Sequence, residues 1–162
     1  MIRAAILTVS DGVAAGKRLD GAGDLLAAWL EGRGWSLAER RVVPDEEPGI
    51  AAVLSDWADH ARADLILTTG GTGFGPRDVT PEATSAVLER AAPGLAEALR
   101  AAGLKNTPFA ALSRGVAGIR GSSLIVNLPG SEKAVREGLE VLDKIVPHAV
   151  DLLAGRTEHS RE

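Results

Sequence analysis

The chain has 162 residues, enough for one domain that buries roughly 70% of its unfolded surface around a single core. It contains no cysteine, which excludes a disulfide scaffold, a thiolate nucleophile and any cysteine-ligated zinc or iron–sulfur site, and fits a reducing, cytoplasmic setting. Eighteen Lys and Arg against 22 Asp and Glu give a net charge of −4 with no basic block, and aromatic residues are only 3%, so no nucleic-acid partner is expected. No signal-peptide core and no run of about 18 apolar residues is present, so no membrane association is expected.

Short apolar runs alternate with helical patterns. Ile2–Val9 reads as a buried strand stopped by Ser10, Asp11 and Gly12. A loop ending in Asp20-Gly21-Ala22-Gly23 leads to a helix over Asp24–Arg33, with Leu25, Leu26, Trp29 and Leu30 at helical spacing. Leu37–Val43 is a second strand, ended by Pro44-Asp45. Pro48–Arg62 is a helix with Ile50, Val53, Leu54 and Trp57 on one face. Asp64–Thr69 is a third strand, cut off by Gly70-Gly71-Thr72-Gly73. Thr80 is the expected N-cap of a helix through Arg90, with Pro81 in the first helical position. A helix over Pro93–Ala102 follows. Residues 103–121 read as irregular, with room for a short strand pair. Ser122–Leu128 is the fourth main strand, and Ser131 caps a helix to Val146. Pro147–Leu153 reads as a separate last helix. Residues 1–155 are expected to form one domain and 156–162 a frayed polar tail.

This order implies an α/β fold: a three-layer sandwich with a mostly parallel central sheet and helices on both faces. In such a sheet the strands point one way, and the loops that follow them gather at one edge, where ligands bind. Four of those loops are polar or glycine-rich: Ser10-Asp11, Pro44-Asp45, Thr69–Asp78 and Asn127–Ser131.

The strongest local signal is Thr69-Gly70-Gly71-Thr72-Gly73-Phe74-Gly75-Pro76-Arg77-Asp78, whose glycines let the backbone approach an anion ahead of a helix N-terminus. It is neither a Walker A loop nor a dinucleotide fingerprint, and a tight strand-to-helix turn is its plain alternative. Asp45 and Asp78 could together hold Mg²⁺ beside bound phosphates. Equally, Asp45 could serve the turn after Pro44, and Asp78 could cap the Thr80 helix. Ser131 reads as an N-cap, and Arg114, after Ser113, offers a guanidinium fork to phosphate. The histidines form no catalytic or zinc-binding pattern.

The segments LTVSD (7–11), VPDE (43–46), LILTTGGTGFGPRDVTPEAT (65–84), LSRGVAGIRG (112–121), LIVNLPGS (124–131) and PHAVDLL (147–153), in this order, resemble the MogA/MoaB family of molybdenum-cofactor biosynthesis proteins and the G domain of gephyrin. The resemblance implies a MogA-like fold and a molybdopterin adenylyltransferase, which joins AMP from ATP to the terminal phosphate of molybdopterin and releases pyrophosphate. It implies Asp45 and Asp78 as catalytic, Mg²⁺-organising residues. It also implies Ser10, Asp11, Thr69, Gly70, Gly71, Thr72, Gly73, Ser113, Arg114, Asn127, Pro129, Gly130 and Ser131 as nucleotide or pterin contacts. A homotrimer and a molybdenum-insertase partner are implied in the same way. Two positions depart from the family pattern: Ala22 stands where a serine is common, and Gly12 where another is frequent. They keep open a MoaB-like pterin carrier without efficient adenylyl transfer.

Overall fold

The computed structural model describes residues 1–156. In chain order its elements are β1 (Arg3–Val9), α1 (Asp11–Ala14), α2 (Gly21–Gly32), β2 (Ser36–Val43), α3 (Glu47–Asp59), β3 (Leu65–Thr69), α4 (Thr80–Val87), β4 (Arg90–Ala91), α5 (Pro93–Leu104), a 3-10 turn (Pro108–Leu112), β5 (Ala117–Arg120), β6 (Ser123–Leu128) and α6 (Glu132–Leu153). The strands form one sheet in the order β2-β1-β3-β6-β5-β4.

Strand side chains alternate between two separate cores, which sets the three layers. Ala4 and Ile6, Leu65 and Leu67, and Leu124, Val126 and Leu128 pack with Leu26 and Leu30 of α2 and with Val135, Leu139, Leu142 and Val146 of α6. Ala5, Leu7, Ile66 and Ile125 pack on the opposite face with Ile50, Leu54 and Trp57 of α3 and Val87 of α4. Because both faces are covered, β3 and β6 are buried along their whole length and read as continuous apolar runs.

β1, β2, β3 and β6 are parallel neighbours. The sheet is mostly parallel, as expected, and departs from a single strand direction at β5, which runs antiparallel to both β6 and β4. The reason is local: Arg120 pairs with Ser123, leaving Gly121-Ser122 as a two-residue hairpin turn, and Gly121 takes φ +57° to make it.

Other boundaries move for identifiable reasons. α2 starts at Gly21 rather than Asp24, because Asp20 Oδ1 accepts the N–H of Gly23 at 3.0 Å and caps it. Ser10 Oγ accepts the N–H of Val13 at 3.2 Å and caps the short α1, which the sequence pattern does not reveal. Thr80 is not an N-cap: Val79 holds that position with no side-chain bond, and Thr80 is the first helical residue. α4 ends at Val87, short of Arg90, where the backbone turns extended at Leu88 and Arg90–Ala91 joins the sheet.

Pro147 does not divide the last helix, and α6 is continuous to Leu153. A proline in a helix leaves the carbonyl four residues earlier without its N–H. That carbonyl belongs to Asp143, and Arg33 Nη2 donates to it at 3.3 Å. Of the expected tail, only Arg156 lies among the described residues; its Nε donates to Asp151 Oδ1 at 2.9 Å. No described helix is long and apolar enough to cross a membrane.

Candidate functional site

The loops after β1, β2, β3 and β6 meet at one edge of the sheet, because the parallel pairing puts the ends of these strands side by side. β3 and β6 are locked there: Thr69 Oγ1 donates to the carbonyl of Pro129 at 2.7 Å, and the N–H of Gly70 donates to that of Leu128 at 3.1 Å. Gly70 has φ +99°, and a Cβ there would lie 2.2 Å from the carbonyl oxygen of Val9. Gly71 follows at φ +69°. Only glycine lets the chain leave β3 at this angle beneath β1.

A cavity of about 480 Å³ opens beside this crossing. Gly71, Thr72, Gly73, Asp78, Ser113, Asn127, Pro129, Gly130 and Ser131 line it, nine of the residues proposed from the sequence. Its other wall is apolar, built from Leu99 of α5, Phe109, Ala110 and Leu112 around the 3-10 turn, and Leu128. Ser131 Oγ accepts the N–H of Ala134 at 3.2 Å, so α6 begins at the rim with its first turn directed there.

The remaining proposed residues lie behind or beside the cavity. Thr69 and Gly70 hold the β3–β6 crossing, and Ser10 caps α1. Arg114 is committed to the protein: Nε donates to the carbonyl of Gly73 at 2.9 Å and Nη2 to that of Asp78 at 2.7 Å, while Nη1 pairs with Glu82 at 2.7 Å. It braces the glycine loop and has no fork left for phosphate. Asn127 is likewise committed to the protein through both amide N–H groups. Its Nδ2 donates to Thr68 Oγ1 and Thr84 Oγ1 at 2.9 and 3.0 Å, and its Oδ1 accepts the N–H of Val116 at 3.1 Å.

Asp11, Asp45 and Asp78 form the acidic side of the site. The N–H of Asp11 donates to Asp45 Oδ2, and the N–H of Asp45 to Asp11 Oδ1. Burial raises the Asp45 pKa above the ordinary aspartate value, and the charges of Asp11 and Asp78 push the same way. Arg77 holds Asp11 bidentately at 2.9 and 3.0 Å and lowers its pKa. Asp78 does not cap α4; its Oδ2 accepts the N–H of Gly75 at 2.9 Å and shapes the loop. Asp45 Oδ1 and Asp78 Oδ1 accept no hydrogen bond from the described residues.

Sequence reasoning overlooked three contributors. Arg100, whose Nη1 donates to the carbonyls of Ser113 and Gly115 at 3.3 and 2.8 Å, brings a cation to the cavity wall. Its signal was a lone cation on an otherwise alanine- and leucine-rich helix. Phe109, 74% exposed, had the same kind of signal, an aromatic in a polar stretch. Arg77 was visible only as part of the motif. The departure at Ala22 falls in the apolar core, away from the cavity, and a Cβ on Gly12 would meet only the flexible Arg18 side chain.

A doubly covered, mainly parallel sheet with a glycine loop, nearby aspartates and a half-apolar cavity at its strand ends defines an α/β protein with a candidate small-molecule site at that edge. The chain belongs to the probable molybdopterin binding domain family, whose sequence profile matches residues 5–148. It is 42% identical to the molybdopterin adenylyltransferase of Haemophilus influenzae over 172 aligned positions, covering 96% of this chain and 86% of that one. It is 45% identical to the molybdenum cofactor synthesis protein cinnamon of Drosophila melanogaster over 152, covering 91% of this chain. The chain spans only 25% of cinnamon and 23% of the similar Dictyostelium discoideum gephyrin. The fold superposes on the crystal structure of the molybdopterin biosynthesis enzyme MoaB of Thermus thermophilus with TM-score 0.90 and 53% identity, over 96% of this chain and 98% of that one. The Mog protein of Mycobacterium ulcerans gives 0.88 and 49%, over 94% and 99%.

Proposed function

We propose that the protein is a molybdopterin adenylyltransferase: it transfers AMP from ATP to the terminal phosphate of molybdopterin and releases pyrophosphate. The observation that carries this reading is that one cavity joins a glycine loop with unpaired backbone N–H groups to an apolar wall. At 480 Å³ it falls within the roughly 300–1,000 Å³ of small-molecule sites. Relatives that bear the name of this activity support it.

A phosphate monoester is already a nucleophile at neutral pH, so the site needs positioning and charge stabilisation rather than a strong base. An oxygen of the terminal phosphate attacks the α-phosphorus of ATP. The new P–O–P bond forms as the bond to the bridging oxygen of the β-phosphate breaks, and that oxygen leaves with pyrophosphate. The N–H groups of Gly71, Thr72 and Gly73 have no acceptor among the described residues and are free for phosphate oxygens. The first turn of α6 adds its partial positive charge, and Arg100 adds a cation at the wall. Leu99, Phe109 and Leu112 supply an apolar surface for a ring.

The donor set fits a divalent cation delivered with the nucleotide. No cluster of three or more His, Cys, Asp or Glu among the described residues could hold a metal unaided. Asp45 and Asp78 each keep one carboxylate oxygen without a donor, which matches Mg²⁺ bound by one or two carboxylates plus substrate phosphates. Bound there, Mg²⁺ would act as a Lewis acid on the phosphates.

Purified protein with ATP, Mg²⁺ and molybdopterin should release pyrophosphate and yield an AMP-linked pterin. Pterin binding without pyrophosphate would replace this reading by a carrier role. The reading extends, on family resemblance alone, to a cytoplasmic homotrimer that passes its product to a molybdenum insertase. Sedimentation of the chain, alone and with an insertase, tests both associations.

A further inference from the structure

One carboxylate on the cavity wall has no part in the chemistry assigned above. Ala134, Glu137 and Gly138 lie three and four residues apart on α6, so they share the helix face that lines the cavity. Glu137 is half-buried there, and its side chain makes no hydrogen bond or ion pair among the described residues. Arg100 lines the same cavity but donates to the carbonyls of Ser113 and Gly115 instead. Lys133, one turn earlier on α6, does not pair with Glu137 either. A carboxylate on an outward helix face would simply be solvated. This one is turned toward the joint between α5 and the 3-10 turn: a Cβ built on Gly103 would lie 4.0 Å from Glu137 Oε2 and 2.8 Å from the Ala110 Cβ. Its oxygen therefore stands beside the apolar wall of Leu99, Phe109 and Ala110.

The cavity is polarised as a result. At one end are the unpaired N–H groups of Gly71, Thr72 and Gly73 and the first turn of α6. Glu137 lies six residues beyond Ser131, about 9 Å further along the helix. An ionised carboxylate only accepts hydrogen bonds and repels phosphate, so this end suits the uncharged part of a ligand. Its two oxygens are satisfied together by an edge that carries two neighbouring N–H groups. A 2-amino-4-oxo pyrimidine ring, such as that of a pterin, has such an edge in its 2-amino group and N3–H. Adenine does not, because a ring nitrogen without a proton stands on either side of its amino group.

We infer that Glu137 is the residue that selects the pterin ring, its carboxylate accepting the 2-amino and N3–H protons while the ring lies against Leu99 and Phe109. This rests on the pterin-binding part of the proposed function. It places the ring at the α5–α6 end of the cavity and the phosphates at the glycine loop, and it leaves the adenine of ATP outside the Glu137 contact. Hydrogen bonds to a charged group correspond to roughly 10–100-fold in affinity, and partial exposure puts this pair toward the low end.

The test uses the full chain and Glu137→Gln, with pterin and its 2-oxo counterpart lumazine as probes and binding read by calorimetry. Wild type should prefer pterin by about 10-fold, since lumazine turns an oxygen toward the carboxylate. Glu137→Gln should bind pterin about 10-fold more weakly and lose the preference, because an amide N–H can donate to the lumazine oxygen. ATP affinity and melting temperature should stay at the wild-type values, as the carboxylate holds no other group in place. Equal binding of the two probes by wild type overturns the inference, as does failure to bind either. A preference that survives in Glu137→Gln, or a loss of ATP rather than pterin affinity, does the same. The readout is separate from catalysis. A preference that the glutamine abolishes in a protein that never releases pyrophosphate supports Glu137 and refutes adenylyl transfer. Pyrophosphate release with a preference indifferent to Glu137→Gln does the reverse.

Discussion

Asp11 and Asp45 hold each other through reciprocal hydrogen bonds: the N–H of Asp11 donates to Asp45 Oδ2 at 2.8 Å, and the N–H of Asp45 donates to Asp11 Oδ1 at 3.0 Å. The pair ties the loop after β1 to the loop after β2 and brings two carboxylates together at the site. Arg77 neutralises only one of them directly, the Asp11 side, so the two environments diverge.

That divergence gives a pH signature. Burial, then the Asp11 and Asp78 charges, raise the folded-state pKa of Asp45, so its ionised form is disfavoured in the native protein. The contribution to stability is fully present below the ordinary aspartate pKa, about 4, and is lost as pH rises through the raised value. Asp45→Asn keeps an oxygen for the Asp11 N–H and removes the charge. Its melting temperature should exceed that of wild type at pH 7, with the difference closing as pH falls below the aspartate range. A variant that melts lower than wild type at pH 7 would contradict this account.

Asp78→Asn should keep the fold, since an amide oxygen can still accept the N–H of Gly75. Turnover should fall by about 10²-fold or more, the scale of losing one electrostatic group that acts in a transition state. Circular dichroism and pyrophosphate release measured together check it; activity within a few-fold of wild type would take Asp78 out of the mechanism.

Three glycines separate backbone strain from collision. Gly34, Gly71 and Gly70 all have positive φ, at +69°, +69° and +99°. A Cβ on Gly34 meets nothing within 4 Å, one on Gly71 meets Thr80 Oγ1 at 2.3 Å, and one on Gly70 meets the Val9 carbonyl oxygen at 2.2 Å. Gly34→Ala should cost about 1–2 kcal/mol, the price of the left-handed backbone alone. Gly71→Ala should cost more, because an alanine methyl collides with a pinned side chain. Gly70→Ala should be the worst, because a strand backbone cannot move aside. Urea denaturation of the three variants gives the order directly.

Pro147→Ala should stabilise the protein by about 1–2 kcal/mol, because it returns an N–H to the Asp143 carbonyl and removes a helix-interior proline, less the entropy that proline takes from the unfolded chain. Arg33 already covers that carbonyl in part, pairs with Asp143 Oδ1 at 3.3 Å and lies over the Trp35 ring at 5.1 Å. Arg33→Ala should therefore lower the melting temperature more in wild type than in Pro147→Ala. Equal losses in the two backgrounds would show that the carbonyl contact contributes nothing.

The layered α/β architecture and the strand-end site were legible because they follow from short-range pattern. Short β-branched apolar runs such as Leu65–Thr69, bounded by turn residues, read as strands covered on both faces, and such strands deliver their following loops to one edge. The hairpin at Gly121-Ser122 was not legible, since a two-residue turn between two short runs resembles irregular chain until β6 is in place to pair with β5. Pro147 was misread for a related reason: the donor that lets the helix continue, Arg33, lies more than a hundred residues away.

The amino-acid order alone determined which residues carry glycine freedom, carboxylate charge and helix-start chemistry, because those are properties of single residues and their near neighbours. Only the folded chain decided which were free to meet a ligand. Arg114 and Asn127 proved to be spent on holding loops, while Arg100 and Phe109 line the cavity. Hydrogen-bonding capacity is finite, and whether a donor or acceptor has already been used depends on partners that the sequence does not place beside it.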